Sequence, residues 1–274
     1  MDDDRITVAQ AAERWLAYYV PTTRSVKNVS MAAQRVRDYV QPYFGDRALR
    51  ELRSDDVRGH RLWLEKKGLA PRTVRHLMAD VRCLFNWAVE NEYLVKSPFP
   101  RRVMPRIQET APDRLTDAEV AAVIRIPEPH AFYVRFALGT GMRWGELCRA
   151  QAHHVEGGMI VVAKTKSSRL RRVPLSDALL RELRQRIGRL VPYSEQSPSV
   201  FARFVRHHSG VTRFHVHQLR HTFACRWIES GGSLPALQQI LGHASIVTTQ
   251  HYARLSDEHV KREAERITEA LGDR

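Results

Sequence analysis

A tyrosine lies near the carboxyl end of the sequence, nine residues after a histidine, in the segment ILGHASIVTTQHYA. Tyr252 is a weak nucleophile at neutral pH, because a phenol keeps its proton until about pH 10. Gly242 is suited to end one helix, and Ser245 can cap the next, which places Tyr252 about two turns along that second helix. Any nucleophilic chemistry of this tyrosine therefore needs cations and bases from other parts of the chain.

Three other segments supply basic residues that could hold an anion. In GTGMRWGEL, Arg143 follows two glycines at a predicted start of a helix, where free backbone N–H groups can also bind a phosphate. In HVHQLRH, His217 and Arg220 are three residues apart and share one face of a helix. Lys166 lies in the turn of a predicted β-hairpin, where a flexible ammonium can reach a groove. Together these residues indicate phosphoryl transfer without a carboxylate cage for a metal ion.

Four motifs follow one another along the second half of the chain: GTGMRWGEL, KTKSSRLRRVPL, HQLRHTFA and LGHASIVTTQHYA. Their order and spacing resemble those of the tyrosine recombinases, the phage-integrase type of site-specific DNA strand-exchange enzyme. The resemblance is close over residues 113–256, whereas the amino-terminal half resembles the core-binding domain of the family by architecture more than by motif. The four motifs together are specific, although none of them is so alone.

The resemblance implies a role for each of the basic residues around the tyrosine. Tyr252 would attack the scissile phosphodiester, form a 3′-phosphotyrosyl link and release a 5′-hydroxyl. Arg143 and Arg220 match the arginines that hold the non-bridging phosphate oxygens. Lys166 matches the general acid for the leaving 5′-oxygen, and Lys164 in the same turn is the competing choice.

Two histidines and a glutamate also match positions of the family. His217 corresponds to the histidine that handles protons near the nucleophile, and His243 to the histidine that bonds the phosphate or positions the tyrosine. Glu146 is expected to orient the arginine one helical turn before it. The residue before Tyr252, His251, departs from the small or basic residue that many members have there, so the activation of the nucleophile stays open.

No cofactor and no metal ion are expected. The histidines at positions 215, 217 and 221 could suggest zinc, but the sequence has no HExxH motif and no carboxylate or cysteine near them in a ligand pattern. The three cysteines are far apart and lack CxxC spacing, so they suggest neither a disulfide framework nor a thiolate zinc site.

The charge balance points to a polyanionic partner. The chain has 44 Lys and Arg against 30 Asp and Glu, a formal net charge of +14 over 274 residues. Double-stranded DNA is the expected partner, and an anionic membrane surface comes second. The sequence has no apolar run of about 18 residues, the length that spans a bilayer, and the acidic start MDDDRITVAQ is unlike a signal peptide. We therefore expect a cytoplasmic protein associated with the nucleoid.

The hydrophobic pattern predicts a mostly α fold with a small antiparallel β-sheet. Residues 1–97 have the apolar spacing of several helices and form the predicted core-binding domain. Residues 98–112 combine prolines with arginines and are the predicted linker. In the predicted catalytic domain, residues 113–274, a hairpin is expected over 157–175. Helices are expected over 176–190, 217–230, 234–241, 245–255 and 257–271. The two domains are expected to close as a C-shaped clamp on duplex DNA.

Further basic residues are expected to contact DNA phosphates, which gives affinity without sequence choice. They are Arg101, Arg102 and Arg106 in the linker and Lys164, Arg169, Arg171 and Arg172 in the hairpin. A solvated basic tether is an equal alternative for the linker residues.

The expected role is integration or excision of a mobile element such as a prophage, or resolution of chromosome dimers. The resemblance implies self-association to a tetramer on DNA, and the tail after residue 256 is predicted to pack on its own domain or on a neighbouring protomer. A host DNA-bending protein or an excision factor is a further candidate partner. Two alternatives stay open: a type IB topoisomerase, which nicks and reseals one strand, and a DNA-binding regulator that keeps the fold without cleavage.

Overall fold

The chain divides into two compact units, each with its own apolar core. The computed structural model describes residues 6–108, 110–162 and 170–253, together with residues 265 and 268. The units are Met1–Glu109 and Thr110–Arg274, so their boundary falls inside the segment predicted as a linker. The first part of that segment packs on the first unit: Val103 is buried in its core, and the Ser54 hydroxyl donates a hydrogen bond to the Pro98 carbonyl.

The first unit is all-helical over its described residues. Its helices are α1 (Val8–Arg14), α2 (Val20–Thr23), α3 (Val26–Arg35), α4 (Gln41–Phe44), α5 (Ser54–Lys66) and α6 (Pro71–Glu90). The π-helical segment Trp15–Tyr19 joins α1 to α2, and a second, Val36–Val40, joins α3 to α4. The Thr7 hydroxyl accepts from the Gln10 N–H, and the Gln10 side chain accepts from the Thr7 N–H, which forms a capping box at the start of α1.

A histidine lies inside the core of this unit. The His60 side chain is fully buried among aromatic rings, and its Nε2 is 2.8 Å from the Tyr39 carbonyl oxygen. Since a carbonyl only accepts, Nε2 carries the proton, and Nδ1 is left buried without a partner. Burial lowers the pKa of His60 to about 4. The folded unit therefore holds a neutral imidazole.

This histidine predicts a loss of stability in mild acid. The pKa of a solvated histidine is about 6.5, so position 60 binds a proton below that pH in the unfolded chain. In the folded chain His60 binds it only near pH 4. Lowering the pH from 7.5 to 5 should cost on the order of 2 kcal/mol of the free energy of unfolding of this unit. Hydrogen exchange of α5 amides in the full chain measures it. His60→Gln should remove most of this pH dependence, whereas His76→Gln, at an exposed position, should leave it unchanged.

The second unit is mixed, and helices make up most of it. Its helices are α7 (Asp117–Val123), α8 (His130–Thr140), α9 (Trp144–Arg149), α10 (Asp177–Leu183), α11 (Pro198–Ser209), α12 (His217–Glu229), α13 (Leu234–Leu241) and α14 (Ile246–Ala253). The sequence did not predict α11, and α10 ends at Leu183 instead of the expected Leu190. Helix α10 stops early because Gly188 has a φ of 70°, outside the helical region. The Leu190 N–H then donates to the Ala150 carbonyl and not to a carbonyl of the helix.

A three-stranded antiparallel sheet in the order β1-β2-β3 completes this unit. The strands are β1 (Val155–Glu156), β2 (Met159–Val162) and β3 (Arg171–Pro174), and Ile160 pairs with Val173 in its buried centre. The predicted hairpin is confirmed in β2 and β3. Residues 163–169, for which a turn was predicted and which include Lys164, Lys166 and Arg169, lie outside the described residues.

The fold class, mostly α with a small antiparallel sheet, is confirmed. Among the described residues, we find no helix with the length and apolar character that crossing a bilayer requires.

Candidate active site

A buried arginine occupies the centre of the candidate site. Arg220 is only 2% exposed, although it carries a guanidinium. Its Nη1 donates to the Gly141 carbonyl and its Nη2 to the Leu241 carbonyl, both at 2.9 Å. These carbonyls lie at the carboxyl ends of α8 and α13, where helices leave C=O groups unpaired and carry partial negative charge. The ends of two helices therefore fix the orientation of this guanidinium.

Glycines make both helix ends possible. Gly141 and Gly242 have φ values of 61° and 65°, in the left-handed region that favours glycine. A Cβ at Gly141 would also lie 2.4 Å from the ring of Phe223 on α12, so the glycine allows α12 to approach α8 closely. This approach brings Arg220, one turn into α12, to the Gly141 carbonyl.

His243 follows Gly242 and contacts the same guanidinium. Arg220 Nη2 donates to His243 Nε2 at 2.8 Å, and because arginine cannot accept, Nε2 is the bare nitrogen of the ring. The proton is then on Nδ1, which lies 2.9 Å from the hydroxyl of the buried Thr249. Burial and the charge of Arg220 lower the pKa of His243 to about 4. His243 is thus a neutral imidazole of fixed tautomer.

The second arginine of the predicted pair lies beside the first. Arg143 Nη1 is 3.4 Å from the Leu241 carbonyl oxygen, which therefore faces both guanidiniums. The Arg143 N–H donates to a Glu146 carboxylate oxygen at 2.7 Å, and its Nη1 is 3.2 Å from the other oxygen. Glu146 thus orients Arg143, as expected, while the arginine side chain stays 39% exposed and open to a substrate.

Arg171 corrects one of the predicted DNA contacts. Its side chain is 7% exposed, and its Nη1 and Nη2 donate to the two oxygens of Glu146 at 3.0 and 2.7 Å. Its Nε donates to the Ile240 carbonyl at 2.6 Å. Side chains alternate along β3, so Arg171 points inward and only its neighbour Arg172 is exposed. The prediction that Arg171 contacts DNA is therefore wrong, because its donors bond Glu146 and the Ile240 carbonyl inside the second unit.

Tyr252 lies in the interior next to this cluster. Its side chain is 5% exposed and packs in a small core with Ile228, Leu237 and Leu241. The phenol oxygen is 2.9 Å from His221 Nδ1. Burial raises the pKa of Tyr252, and the charge of Arg220 opposes that rise. The phenol is therefore protonated in this structure and lies within the electrostatic reach of the arginines.

The arrangement is suited to an anion with several oxygens. Among the described residues, no carboxylate pairs with Arg220, and burial together with Arg143 lowers its pKa to about 10. The cost of the buried charge is thus only partly compensated by carbonyl dipoles. An incoming phosphate diester would supply the missing negative charge, and more strongly so when charge grows in a transition state.

The structure brings together four of the six predicted catalytic residues, with a fifth beside them. Arg143 and Arg220 share the Leu241 carbonyl, and Arg220 contacts His243, whose ring is parallel to that of Tyr252 with 6.5 Å between centroids. His217 is exposed at the start of α12, its ring 4.6 Å from that of His221. The sixth residue, Lys166, lies outside the described residues, as do Lys164 and Arg169. Arg101, Arg102 and Arg106 are exposed residues of the first unit.

Besides the contact of Arg171 with Glu146, two further contacts of the site were not predicted from the sequence. One is the bond between Thr249 and His243, and the other is the bond between His221 and Tyr252. A signal for the second was present: His221 is four residues after His217 and next to Arg220, so it shares the face of α12 that the site uses. For Thr249 the sequence offers only its place one turn before Tyr252.

The comparison with family models decides the class of the protein. Residues 113–259, just over half of the chain, match the model of the phage integrase family. The chain belongs to the phage integrase family. The predicted resemblance to tyrosine recombinases, the enzymes that cut and rejoin DNA at specific sites, is thereby confirmed.

Individual members of the family agree with this assignment. The chain is 30% identical over 248 residues to tyrosine recombinase XerA of Pyrococcus furiosus, a match that covers 82% of this chain and 85% of XerA. Its fold is similar to the integrase of transposon Tn1549 in complex with transposon right end DNA, with a TM-score of 0.79, 19% identity and coverage of 96% and 100%. The lambda integrase tetramer bound to a Holliday junction gives a TM-score of 0.69 at 18% identity, with coverage of 89% and 79%. At these identities the two solved structures show the fold.

The buried pair of Glu146 and Arg171 predicts a specific loss of stability. Burial would raise the pKa of Glu146, but the hydrogen bonds and charge of Arg171 lower it to about 2. A lowered carboxyl pKa stabilises the fold above the unfolded value, and this stabilisation is lost as the pH falls from about 4.5 to about 2. Glu146→Gln leaves the Arg171 charge unpaired and should cost about 3–5 kcal/mol at pH 7.

Urea denaturation, with hydrogen exchange of the β2 and β3 amides, measures the difference between the two proteins. That difference should shrink below pH 4. Glu156→Gln, at an exposed position of β1, is the matched control and should change stability little. Equal stability of Glu146→Gln and wild type at pH 7 would contradict this account.

Proposed function

We propose that this tyrosine recombinase cuts and rejoins double-stranded DNA through a 3′-phosphotyrosyl intermediate on Tyr252. Its biological task would be to integrate or excise a mobile element or to resolve DNA. The observation that carries the proposal is the buried Arg220, whose orientation is fixed and whose charge has no carboxylate partner among the described residues, beside a protonated tyrosine.

Each group would have one role in the transfer. Arg143 and Arg220 would bond the non-bridging oxygens of the scissile phosphate and stabilise the charge of the pentavalent transition state. His243 would keep the guanidinium of Arg220 in place, since its Nε2 accepts from that side chain. Lys166 would protonate the leaving 5′-oxygen, and His217, exposed beside the cluster, would contact the substrate.

The chemistry explains why neither a nucleotide nor a metal ion would be required. Exchange of a phosphodiester for a phosphotyrosyl ester conserves the energy of the bond, so the 5′-hydroxyl of another strand can reverse the step. Cations fixed in a poorly solvated pocket can stabilise the transition state in place of Mg²⁺.

The partners are proposed from charge and from the similar proteins. The net charge of +14 favours DNA, and the similar integrases of Tn1549 and lambda were solved in complex with DNA. The lambda integrase complex is a tetramer on a Holliday junction, which supports a tetramer of this chain on DNA. Closure of the two units as a clamp on the duplex, and help from a host DNA-bending protein or an excision factor, stay predictions.

Covalent capture on duplexes of random sequence tests the proposed chemistry. The duplexes are randomised on both sides of a single nick and are incubated with the protein. Cleavage near the nick releases the short fragment between the two breaks, and because its 5′-hydroxyl is then lost, the covalent intermediate cannot rejoin and is trapped. Wild type should form an adduct that survives denaturation, with the peptide containing Tyr252 attached to a 3′-phosphate. Tyr252→Phe should bind DNA and form no adduct, because it lacks the nucleophilic oxygen.

The control is Tyr133→Phe, since Tyr133 is a buried tyrosine of the same unit outside the cluster, and it should form the adduct as wild type does. Arg220→Gln should slow adduct formation by about 10²–10³-fold, as the loss of one preorganised donor does in other enzymes. An adduct in Tyr252→Phe would refute the assignment of the nucleophile. No adduct in wild type would favour the DNA-binding regulator.

The duplexes recovered from this capture then separate the recombinase from a type IB topoisomerase. Two differently labelled copies of a captured site should yield a joint product of strand exchange. Resealing of each duplex with itself alone would identify the topoisomerase activity.

Adjacent arginines of β3 give a matched test of the corrected DNA contacts. Arg172 is exposed, so Arg172→Gln should weaken DNA binding for all sequences alike and lower the slope of log K against log salt by about 1. Arg171→Gln should instead lower the free energy of unfolding, because Arg171 is buried on Glu146. Binding titrations at several salt concentrations and urea denaturation of both variants check the contrast.

A further inference from the structure

His221 makes a direct contact with the hydroxyl of Tyr252. The two atoms, His221 Nδ1 and the phenol oxygen, are 2.9 Å apart, within the range that proton transfer needs. Arg220 also lies close to the phenol, but it has only donors and cannot take a proton from it. Of these two groups, the imidazole of His221 is the one that can accept the phenolic proton.

The neighbouring histidines are less suited to this task. His243 has its bare nitrogen occupied by Arg220 and its N–H directed at Thr249, so neither nitrogen is free to accept. The ring of His217 meets the ring of His221 edge to face, and the hydrogen bond to the Tyr252 phenol oxygen is made by His221. The residue that resembles the proton-handling histidine of the family is thus not the one that contacts the nucleophile.

We propose that His221 is the base that accepts the phenolic proton when Tyr252 attacks the phosphate. This inference rests on the proposed function. His221 follows Arg220 directly on α12, so one helix fixes both the base and the principal phosphate ligand. The positions of the two groups therefore need no adjustment relative to each other when DNA binds.

The step balances in both directions. The proton moves from the phenol oxygen to His221 Nδ1 while that oxygen forms a bond to phosphorus, and the bond from phosphorus to the 5′-oxygen breaks. The leaving oxygen takes a proton from the general acid, for which Lys166 is proposed. In rejoining, the incoming 5′-hydroxyl returns its proton to that acid, and His221 returns its proton to the departing phenol oxygen.

The surroundings keep His221 neutral until the substrate is present. Burial, and then the nearby His217, lower its pKa to about 4, and the charges of His215 and Arg220 act in the same direction, while Asp113 opposes them. A neutral ring has one unprotonated nitrogen, and in the tautomer with the proton on Nε2 that nitrogen is Nδ1, which faces the phenol. The negative charge of a bound phosphodiester would offset the charge that the ring gains during transfer.

Changing the acidity of the residue at position 252 distinguishes two roles for His221, a base that takes the phenolic proton and a ligand that only holds the phenol. Adduct formation is timed on a duplex recovered by covalent capture, in a single turnover with wild type and His221→Gln. Each protein carries either tyrosine or 2,3,5-trifluorotyrosine at position 252. Glutamine can keep a hydrogen bond but is no base, so His221→Gln should be slower by about 10²–10⁴-fold. Trifluorotyrosine ionises near neutral pH without help and should restore most of the lost rate.

Matched histidines serve as controls. His207→Gln, at an exposed position of α11, should react at the wild-type rate. His217→Gln is expected to lose activity that trifluorotyrosine does not restore, because His217 is proposed to contact the substrate. A His221→Gln protein that reacts as fast as wild type would overturn the proposal. A faster reaction would also overturn it, because it would mean that His221 only restrains the Tyr252 phenol. So would a defect that the acidic tyrosine does not correct in protein that still binds the duplex.

A measurement on the free protein keeps the proposal testable if His221→Gln does not fold. The ¹⁵N shift of His221 Nδ1 in wild type should be that of an unprotonated acceptor at pH 7, and Tyr252→Phe should shift it. A proton on Nδ1 would overturn the proposal. Absence of any adduct with wild-type protein is a different result, since it contradicts the proposed function whatever the state of His221.

Discussion

The candidate site depends on one interaction, the retention of a guanidinium inside the protein by main-chain carbonyls. Arg220 is buried, and its donors meet Gly141 and Leu241 at the ends of two helices. Carbonyl dipoles orient the cation without neutralising it, whereas a carboxylate would have cancelled its charge. The pocket thus keeps its positive potential in a poorly solvated place, which is what stabilisation of a phosphorane requires.

The remaining contacts extend this interaction outward. Glu146 joins Arg143 at the surface to Arg171 in the interior, and Arg171 reaches the Ile240 carbonyl next to the end of α13. Helices α9 and α13 and strand β3 are therefore tied together by one network of charged hydrogen bonds. Each of these elements carries or adjoins a group of the site. The contacts that pack the second unit therefore also set the geometry of the site.

Much of this organisation could be predicted from the sequence because it follows from local rules. The helix end at Gly242 and the hairpin are short-range features. The identity of the arginines and the tyrosine followed from motifs in a fixed order. The direction of a side chain was harder, since inward Arg171 and outward Arg172 differ only by their register on β3. Helix periodicity places His221 on the face of α12 that the site uses, but its bond to Tyr252 depends on how α12 and α14 pack.

The Leu241 carbonyl has a consequence for how the site tolerates change. A single oxygen of the main chain faces both Arg143 and Arg220, so the backbone at this turn helps to set the distance between the two positive charges. Natural variation at position 241 can alter the packing beneath the pocket while the oxygen keeps its direction. The sensitive position is the next one: any larger residue at Gly242 would adopt its left-handed φ at a cost and would press on the Arg171 side chain, 3.0 Å from a new Cβ. At this turn, substitutions are therefore tolerated at position 241 and not at position 242.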